Sequence, residues 1–231
     1  SIETKPCKHR RFGYGFEKGV PEMPKGSEEL TQARKDEIIN ACAQLYETKN
    51  FKDVTLKDIG AKTSFTRTLI YYYFHTKEEI FLALLQREYE LWIQDLDKIE
   101  RSHDHMSADR FADELAHSLE RRSRLLKLMS MNHYDMEANS RMENLVSFKV
   151  SYGNSIKAVT RCLEKFFPEM TADERQGFIY AFFPFMFGIY PYTVVTEKQR
   201  EALEQSHTNY VFLSIYEITK AMALNLLPKE G

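Results

Sequence analysis

Apolar residues recur at three- and four-residue spacings along most of this chain, and that spacing is typical of the buried face of an α-helix. The first such pattern begins after Ser27 and predicts a helix over about residues 28–48. Another predicts a helix over about 77–99, and the last predicts one helix within Thr196–Leu227, which Pro228 ends. The strict alternation of a strand and the turn signals of a hairpin are both missing from the sequence, which therefore predicts an all-α fold.

Capping residues and apolar runs predict further helices between these. They are expected over about residues 107–119, 125–131, 140–167 and 171–190. Two of them begin with a Ser/Thr-x-x-Glu capping box, formed by Ser140 with Glu143 and by Thr171 with Glu174. In such a box the hydroxyl and the carboxyl group each accept a hydrogen bond from a backbone amide that the first turn leaves unpaired.

Residues 55–74 are typical of a short helix, a tight turn and a second short helix. Thr55 can cap the first helix, and Gly60, which has no side chain, allows another helix to approach closely. The second helix is predicted to bury Leu69, Ile70 and Tyr73 and to leave its other face, with Arg67, Thr68, Tyr71 and Tyr72, for a partner. The segment is thus a helix-turn-helix with an exposed face that can read DNA.

Composition is that of a globular protein and adds little to this picture. The chain has 231 residues, of which 43% are hydrophobic and 29% are charged, and its formal net charge is −2. Its longest apolar stretch, residues 178–192, is interrupted by two prolines and a glycine, so no membrane span is expected. No secretory signal is recognisable, which predicts a cytoplasmic protein. The three cysteines are far apart and are expected to be reduced thiols.

Residues 1–26 contain three prolines and four glycines, a density that excludes a long helix. This segment is predicted to be a flexible leader. Its Lys5, Lys8, His9, Arg10 and Arg11 could follow a DNA backbone, although a solvated tail is the simpler interpretation.

The helix-turn-helix segment resembles the signature of the TetR family of bacterial transcription regulators, and the resemblance covers about residues 31–90. The matching positions are Thr55, Asp58, Ile59, Gly60, Phe65, Thr66, Arg67, Tyr71, Tyr73, Phe74, Lys77, Glu78 and Ile80. Family members usually carry Gly where this chain has Ser64 and Thr68, and Ala where it has Gly60 and Thr63. Ser64 is therefore expected either to adopt a strained left-handed conformation, at a cost of about 1 kcal/mol, or to relax the turn.

The resemblance implies two domains. Residues 27–80 would form a three-helix DNA-binding domain, and residues 81–231 a larger helical bundle that binds a ligand and dimerises. The implied function is sequence-specific regulation of transcription, as a repressor that a small-molecule inducer releases from double-stranded operator DNA. The alternative is a helical protein-interaction adaptor without specific DNA binding.

The predicted DNA-binding residues lie on or beside the second helix of the motif, which would enter the major groove by its N-terminal end. They are Thr55, Lys57, Thr66, Arg67, Thr68, Tyr71, Tyr72, His75 and Lys77. Arg67 is the candidate for a bidentate contact to guanine. Lys77 would hold a phosphate beside the N-terminal amides of the next helix.

Two further sets of residues are predicted in the larger domain. An apolar ligand pocket would be lined by Met129, Met131, His133, Phe148, Tyr152, Phe178 and Phe182, although such residues are also typical of a plain core. By the resemblance, the last two helices would pair with a second subunit, and their interface residues would be Phe185, Ile189, Tyr210, Leu213, Glu217 and Leu224. An ordinary intramolecular core is the alternative for this second set.

No catalytic or metal-binding constellation is recognisable. His103, His105, His117 and His133 are interpreted as solvated rather than as metal ligands. The sequence has no nucleophile–base pair, glycine-rich phosphate loop or His-Glu-x-x-His motif, so no enzyme activity, metal or cofactor is predicted.

Overall fold

The computed structural model describes residues 28–229, apart from the side chains of residues 131–133. The predicted leader, residues 1–26, lies outside the described residues. Within 28–229 the chain forms α-helices and one 3₁₀ turn, and no strand. The α-helices are α1 (Glu28–Thr48), α2 (Leu56–Gly60), α3 (Arg67–Tyr73), α4 (Lys77–Ser102), α5 (Ala108–Glu120), α6 (Ser123–Ala138), α7 (Met142–Phe166), α8 (Ala172–Thr193), α9 (Glu197–Gln205) and α10 (Ile215–Leu226). The predicted all-α fold is confirmed.

Helices α1 to α3 form a small unit, called the head below, which packs on the first turns of α4. Ile38 and Cys42 of α1 and Ile59 of α2 are fully buried in its core. Phe81 of α4 completes this core, with its ring 5.2 Å from that of Tyr46, centroid to centroid, in an edge-on arrangement. The head and α4 therefore share one set of buried side chains.

Helices α4 to α10 form the rest of the described chain, called the body below. Helix α7 lies along α4, α10 packs on α5, and α6 packs on both α4 and α8. Trp92 of α4 is fully buried, and its indole nitrogen donates to the Ser118 hydroxyl of α5 at 3.0 Å. Arg161 of α7 joins Asp97 and Glu100 of α4 at 2.5 and 3.1 Å. Helix α4 is thus the central element of the body as well as the continuation of the head.

One of the two predicted capping boxes is confirmed and the other is wrong. The side chains of Thr171 and Glu174 each accept a hydrogen bond from the other residue's backbone amide at the start of α8. The Ser140 hydroxyl instead donates to the Met136 carbonyl at 2.6 Å, and α7 begins after Arg141 with no side-chain cap. Ser140 satisfies a carbonyl at the end of α6, because the last carbonyls of a helix are unpaired just as its first amides are.

The prediction of a single helix within Thr196–Leu227 is also wrong, because residues 206–214 are not helical. Thr196 with Gln199 caps α9, and Ser214 with Glu217 caps α10, each in a complete capping box. Between them, His207 has φ 53°, a left-handed conformation that closes the end of α9. No residue of α9 is buried.

Cys42 and Cys162 are buried free thiols, as predicted for reduced cysteines. Burial raises the pKa of each to about 12, because the thiolate would lose its hydration. No single helix of the described chain is long and apolar enough to cross a membrane, and α8 with α9 reaches that composition only as a pair bent by 80°.

Candidate nucleic-acid interface and ligand cleft

Helix α2 begins at Thr55, as predicted, through a capping box with Asp58. The Asp58 amide donates to the Thr55 hydroxyl oxygen at 3.1 Å, and the Thr55 amide and hydroxyl donate to the Asp58 carboxylate at 3.2 and 2.9 Å. These hydrogen bonds lower the pKa of Asp58. The hydroxyl of Thr55 is therefore engaged inside the motif, although the residue itself is exposed.

Gly60 allows the close approach of α2 and α3 that the sequence predicts. A Cβ at this position would lie 3.3 Å from Cδ1 of Ile70, which is fully buried in α3. Substitution by Ala would require Ile70 to move by a few tenths of an ångström. The glycine thus sets the spacing of the two helices of the motif.

Ser64, in the turn between α2 and α3, lies in a relaxed turn and not in the strained left-handed conformation. Among the described non-glycine residues only His207 has a positive φ, so Ser64 does not take the left-handed conformation. Its amide and its hydroxyl both donate to the carboxylate of Glu37 in α1, the hydroxyl at 3.1 Å. Glu37 therefore ties the turn to α1, an interaction that the local sequence pattern does not predict.

Helix α3 has the two faces that its sequence predicts. Ile70 and Tyr73 are buried, and Arg67, Thr68 and Tyr71 are exposed. The exposed Arg67 guanidinium donates to the Tyr71 hydroxyl at 2.8 Å and lies 5.4 Å from the centre of its ring. This contact holds an arginine, the side chain that best matches the edge of guanine, near the N-terminal end of an exposed helix.

The segment that contains α2 and α3 carries more positive than negative charge. Residues 51–75 contain four basic and two acidic side chains, and Lys52, Lys57, Lys62 and Arg67 are all exposed. Thr66 is exposed at the N-cap of α3 and makes no capping hydrogen bond through its side chain. Phosphate groups of DNA are attracted by such a surface.

Tyr72 and Lys77, two of the predicted DNA-binding residues, take positions that differ from the simple expectation, whereas His75 does not. Tyr72 is only half-exposed, because its ring packs edge-on against Tyr73 with centroids 5.1 Å apart. His75 is exposed, and its amide donates to Glu79 at 2.8 Å. Lys77, predicted to hold a phosphate, turns its ammonium group into the protein, where it donates to the carbonyls of Phe51 and Val54 at 2.9 and 3.3 Å.

The predicted role of Lys77 is thus wrong. Its amine also lies 4.4 Å from the centre of the Phe51 ring. The residue pairs two carbonyls of the α1–α2 connection that lie near the core of the head, and so has a structural role. Sequence spacing could not reveal this, because the partners are more than twenty residues away.

A cleft of about 1390 Å³ opens in the body between α6, α7 and α8. Of the predicted pocket residues, Met129 and Tyr152 line it. Phe148, Phe178 and Phe182 do not line the cleft. They pack in the core, with at most 2% of their surface exposed. The side chains of Met131 and His133 lie outside the described part of the structure.

The lining includes side chains that sequence reasoning missed. Ile156, Ile179, Phe183 and Phe187 supply apolar surface, and Lys149 and Arg175 supply charge. Lys149 forms an ion pair with Glu137 at 2.6 Å. Their exposure ranges from the buried Phe183 to the exposed Lys149, and apolar periodicity alone does not distinguish them from the core residues beside them.

The predicted dimer residues fall into two groups, one buried and one at the surface. Ile189 lies in the core of its own subunit with 2% exposure and cannot reach a partner. Leu213 and Glu217 are exposed, and Phe185, Tyr210 and Leu224 are half-buried. On the outer side of α8, added Cβ atoms at Gly177 and Gly188 would meet no neighbouring atom within 4 Å.

No group of three His, Cys, Asp or Glu residues is placed to hold a metal ion in the described part of the chain.

The position of Lys77 leads to a prediction about stability. Replacing Lys77 with Met leaves the Phe51 and Val54 carbonyls without their donor, and we expect the free energy of unfolding to fall by about 1–2 kcal/mol. Urea unfolding followed by circular dichroism measures this change. The control is Lys62→Met, an exposed lysine whose loss should cost less than about 0.5 kcal/mol. Equal stability of the two variants would contradict the structural role of Lys77.

Comparison with known proteins agrees with this geometry. Residues 38–84 match the family model described as bacterial regulatory proteins, tetR family, and residues 86–226 match that described as tetracyclin repressor-like, C-terminal domain. The uncharacterised HTH-type transcriptional regulator YfiR of Bacillus subtilis is 29% identical over 100 residues, which are 42% of this chain and 47% of that protein. The match thus spans about half the length of this relative.

Two solved structures have a similar fold. The fatty acid degradation regulator FadR from Bacillus halodurans superposes with a TM-score of 0.53 at 14% identity and covers 89% of this chain and 97% of its own. A TetR transcriptional regulator from Rhodococcus sp. RHA1 gives a TM-score of 0.54 at 13% identity and covers 86% and 97%. The two family models together span most of the chain, with an exposed α3 at the N-terminal end and a helical body behind it, and the chain therefore belongs to the TetR family of DNA-binding transcriptional regulators.

Proposed function

We propose that this chain is a repressor, which binds a near-palindromic operator as a homodimer and is released by a mostly apolar small molecule bound in the cleft between α6, α7 and α8. The observation that carries the proposal is the exposed face of α3, on which Arg67 is held by Tyr71. An exposed arginine at the N-terminal end of a helix is placed to donate to the acceptors on the edge of a base.

In this proposal α3 is the recognition helix, and Thr66, Arg67 and Thr68 enter the major groove first. Arg67 donates two hydrogen bonds to the O6 and N7 acceptors of a guanine. The hydrogen bond that Arg67 donates to Tyr71 reduces the number of conformations that the long side chain must give up on binding, which lowers the entropic cost of the contact. Lys57 at the surface of α2 then contacts phosphate, which adds affinity without sequence preference.

The dimer would form along the outer side of α8 and the adjoining part of α10. Gly177 and Gly188 are exposed there, and both allow a second helix to approach closely. Phe185, Tyr210, Leu213, Glu217 and Leu224 remain candidates for this interface. A twofold axis through α8 would present two copies of α3 to successive major grooves, which are about 34 Å apart.

The chemistry of the cleft favours a mostly apolar ligand. Tyr152, Ile156, Phe183 and Phe187 provide aromatic and aliphatic lining. Lys149 is paired with Glu137, and Arg175 lies 3.9 Å from Glu164, so both positive charges of the lining have an acidic partner within it. A ligand that fills the space therefore gains mainly by covering apolar surface.

DNA recognition gives the first prediction of this proposal. Gel-shift titration of genomic fragments, including the promoter of the chain's own gene, should yield a salt-sensitive, sequence-selective complex. Arg67→Ala should lose about 1–3 kcal/mol of discrimination at one base pair, because one guanine contact is removed. Arg121→Ala, an exposed arginine on the body, is the matched control and should leave discrimination unchanged. Binding that is equal for all sequences, or absent at micromolar protein, would favour an adaptor without specific DNA binding.

Release by a ligand gives the second prediction of this proposal. Apolar compounds that raise the melting temperature are titrated calorimetrically with and without operator, and we expect operator to weaken their binding about 5- to 150-fold. Ile156→Lys should abolish binding of these compounds, because it places a charge in the cleft, whereas Asn154→Lys on the exposed side of α7 should not. Equal ligand affinity with and without DNA would show that the cleft does not control DNA binding.

A further inference from the structure

The carboxylate of Glu79, in the first turn of α4, is almost completely buried and accepts four hydrogen bonds. Only 1% of its side chain is exposed. One oxygen accepts from the Arg141 amide at 3.0 Å and from Arg141 Nε at 2.7 Å. The other accepts from Arg141 Nη2 at 3.1 Å and from the His75 amide at 2.8 Å. One carboxylate thus joins the α3–α4 turn to Arg141, which is sixty-two residues further along the chain.

Arg141 also holds the recognition helix itself. Its Nη2 donates to the carbonyl of Tyr73, the last residue of α3, at 3.0 Å. Beside it the Thr76 hydroxyl donates to the Asn139 carbonyl at 3.0 Å. Residues 139–141, called the α6–α7 corner below, therefore bind the end of α3 and the start of α4 together.

The hydrogen bonds to this carboxylate favour its ionised form. Burial by itself raises the pKa of Glu79, but the hydrogen bonds from Arg141 and from the His75 amide outweigh it and lower the pKa below its ordinary value. The charge of Arg141 is in turn shared with Glu143, 3.0 Å from Nη1. A bidentate pair of this kind has one favoured geometry, because an arginine and a carboxylate match only when their planes are aligned.

Other ion pairs and hydrogen bonds between the body and the head reach a different part of the head. Lys127 of α6 donates to the Tyr46 carbonyl at 2.8 Å, and Arg124 lies 3.6 Å from Glu47. Both bind the end of α1. The α6–α7 corner, by contrast, reaches α3, and α6 leads to it directly from the cleft, which Met129 and Ser130 line.

We propose that Arg141 is a positioning residue for DNA recognition, which fixes the angle of α3 on the body by binding Tyr73 and Glu79 and so sets the half-site spacing that the dimer accepts. This inference rests on the proposed binding of an operator by a homodimer. Arg141 does not touch DNA. It acts through the recognition helix, and its loss should therefore change the preferred geometry of the operator rather than the bases that are read.

The test is an operator spacing series. The full-length chain first selects duplexes from a random pool, and one or two base pairs are then inserted or removed between the half-sites of the selected sequence. The wild-type chain should bind these altered duplexes much more weakly than the original, since each inserted pair rotates and shifts one half-site. Arg141→Gln should reduce this discrimination about 5- to 150-fold, while the preferred bases within each half-site stay the same.

The matched control is Arg161→Gln. Arg161 also joins α7 to α4, through Asp97 and Glu100, but at the end of α4 that lies away from the head. It should leave the spacing preference as in the wild-type chain. Arg141→Lys keeps the charge at Glu79 but cannot also reach Tyr73 with a second nitrogen, so it should show an intermediate preference.

The outcomes are distinguishable. If the wild-type chain selects no sequence at all, the proposed function fails and this inference with it. If it selects an operator and Arg141→Gln retains the wild-type spacing preference, only the role of Arg141 is overturned. Should Arg141→Gln not fold, Arg141→Lys decides the question, and an unaltered spacing preference in that variant overturns the proposal.

Discussion

A buried carboxylate is stable only if hydrogen-bond donors replace the water it has lost, and at Glu79 these donors come from two distant parts of the chain. The His75 amide belongs to the turn that follows α3, and Arg141 belongs to the connection between α6 and α7. The carboxylate is therefore fully hydrogen-bonded only when the α3–α4 turn and the α6–α7 corner are in one relative position. This constraint gives an isolated seven-residue helix, too short to be stable alone, a defined orientation on the body.

Helix α4 extends the same constraint through the molecule. Its first turn contains Glu79 and Lys77, which bind the body and the head respectively, and its middle contains Trp92 in the core of the body. Helix α6 runs beside it from contacts with α1 to the α6–α7 corner, and one of its faces lines the cleft. Under the proposed function, a molecule in the cleft acts on the recognition helix through α6 and this corner, in addition to any tilt of α4.

Local signals in the sequence predict most of the fold and the exposed face of α3, because caps and apolar periodicity depend on neighbours within one or two turns. Ser107 and Thr171 mark their helices correctly, and Gly60 marks the close approach of α2 and α3. The break between α9 and α10 could also have been predicted from the sequence, since Ser214 and Glu217 form a capping box inside the single helix that periodicity predicts. The sequence could not predict the partners of Lys77, Ser64 and Arg141. These partners are 23 to 68 residues away in sequence, and only tertiary packing brings them together. For the same reason periodicity could not decide which aromatic side chains of α7 and α8 line the cleft and which fill the core.

The most direct test of this account is amide hydrogen exchange at His75 and Arg141, measured residue by residue by NMR. Both amides donate to the carboxylate of Glu79, one from the head side and one from the body side. If that carboxylate joins the two parts into one cooperative unit, both amides should be protected, with opening free energies equal to within about 0.5 kcal/mol. Protection of one amide while the other exchanges at the rate of an unstructured peptide would show that head and body separate at this point, and would contradict the account.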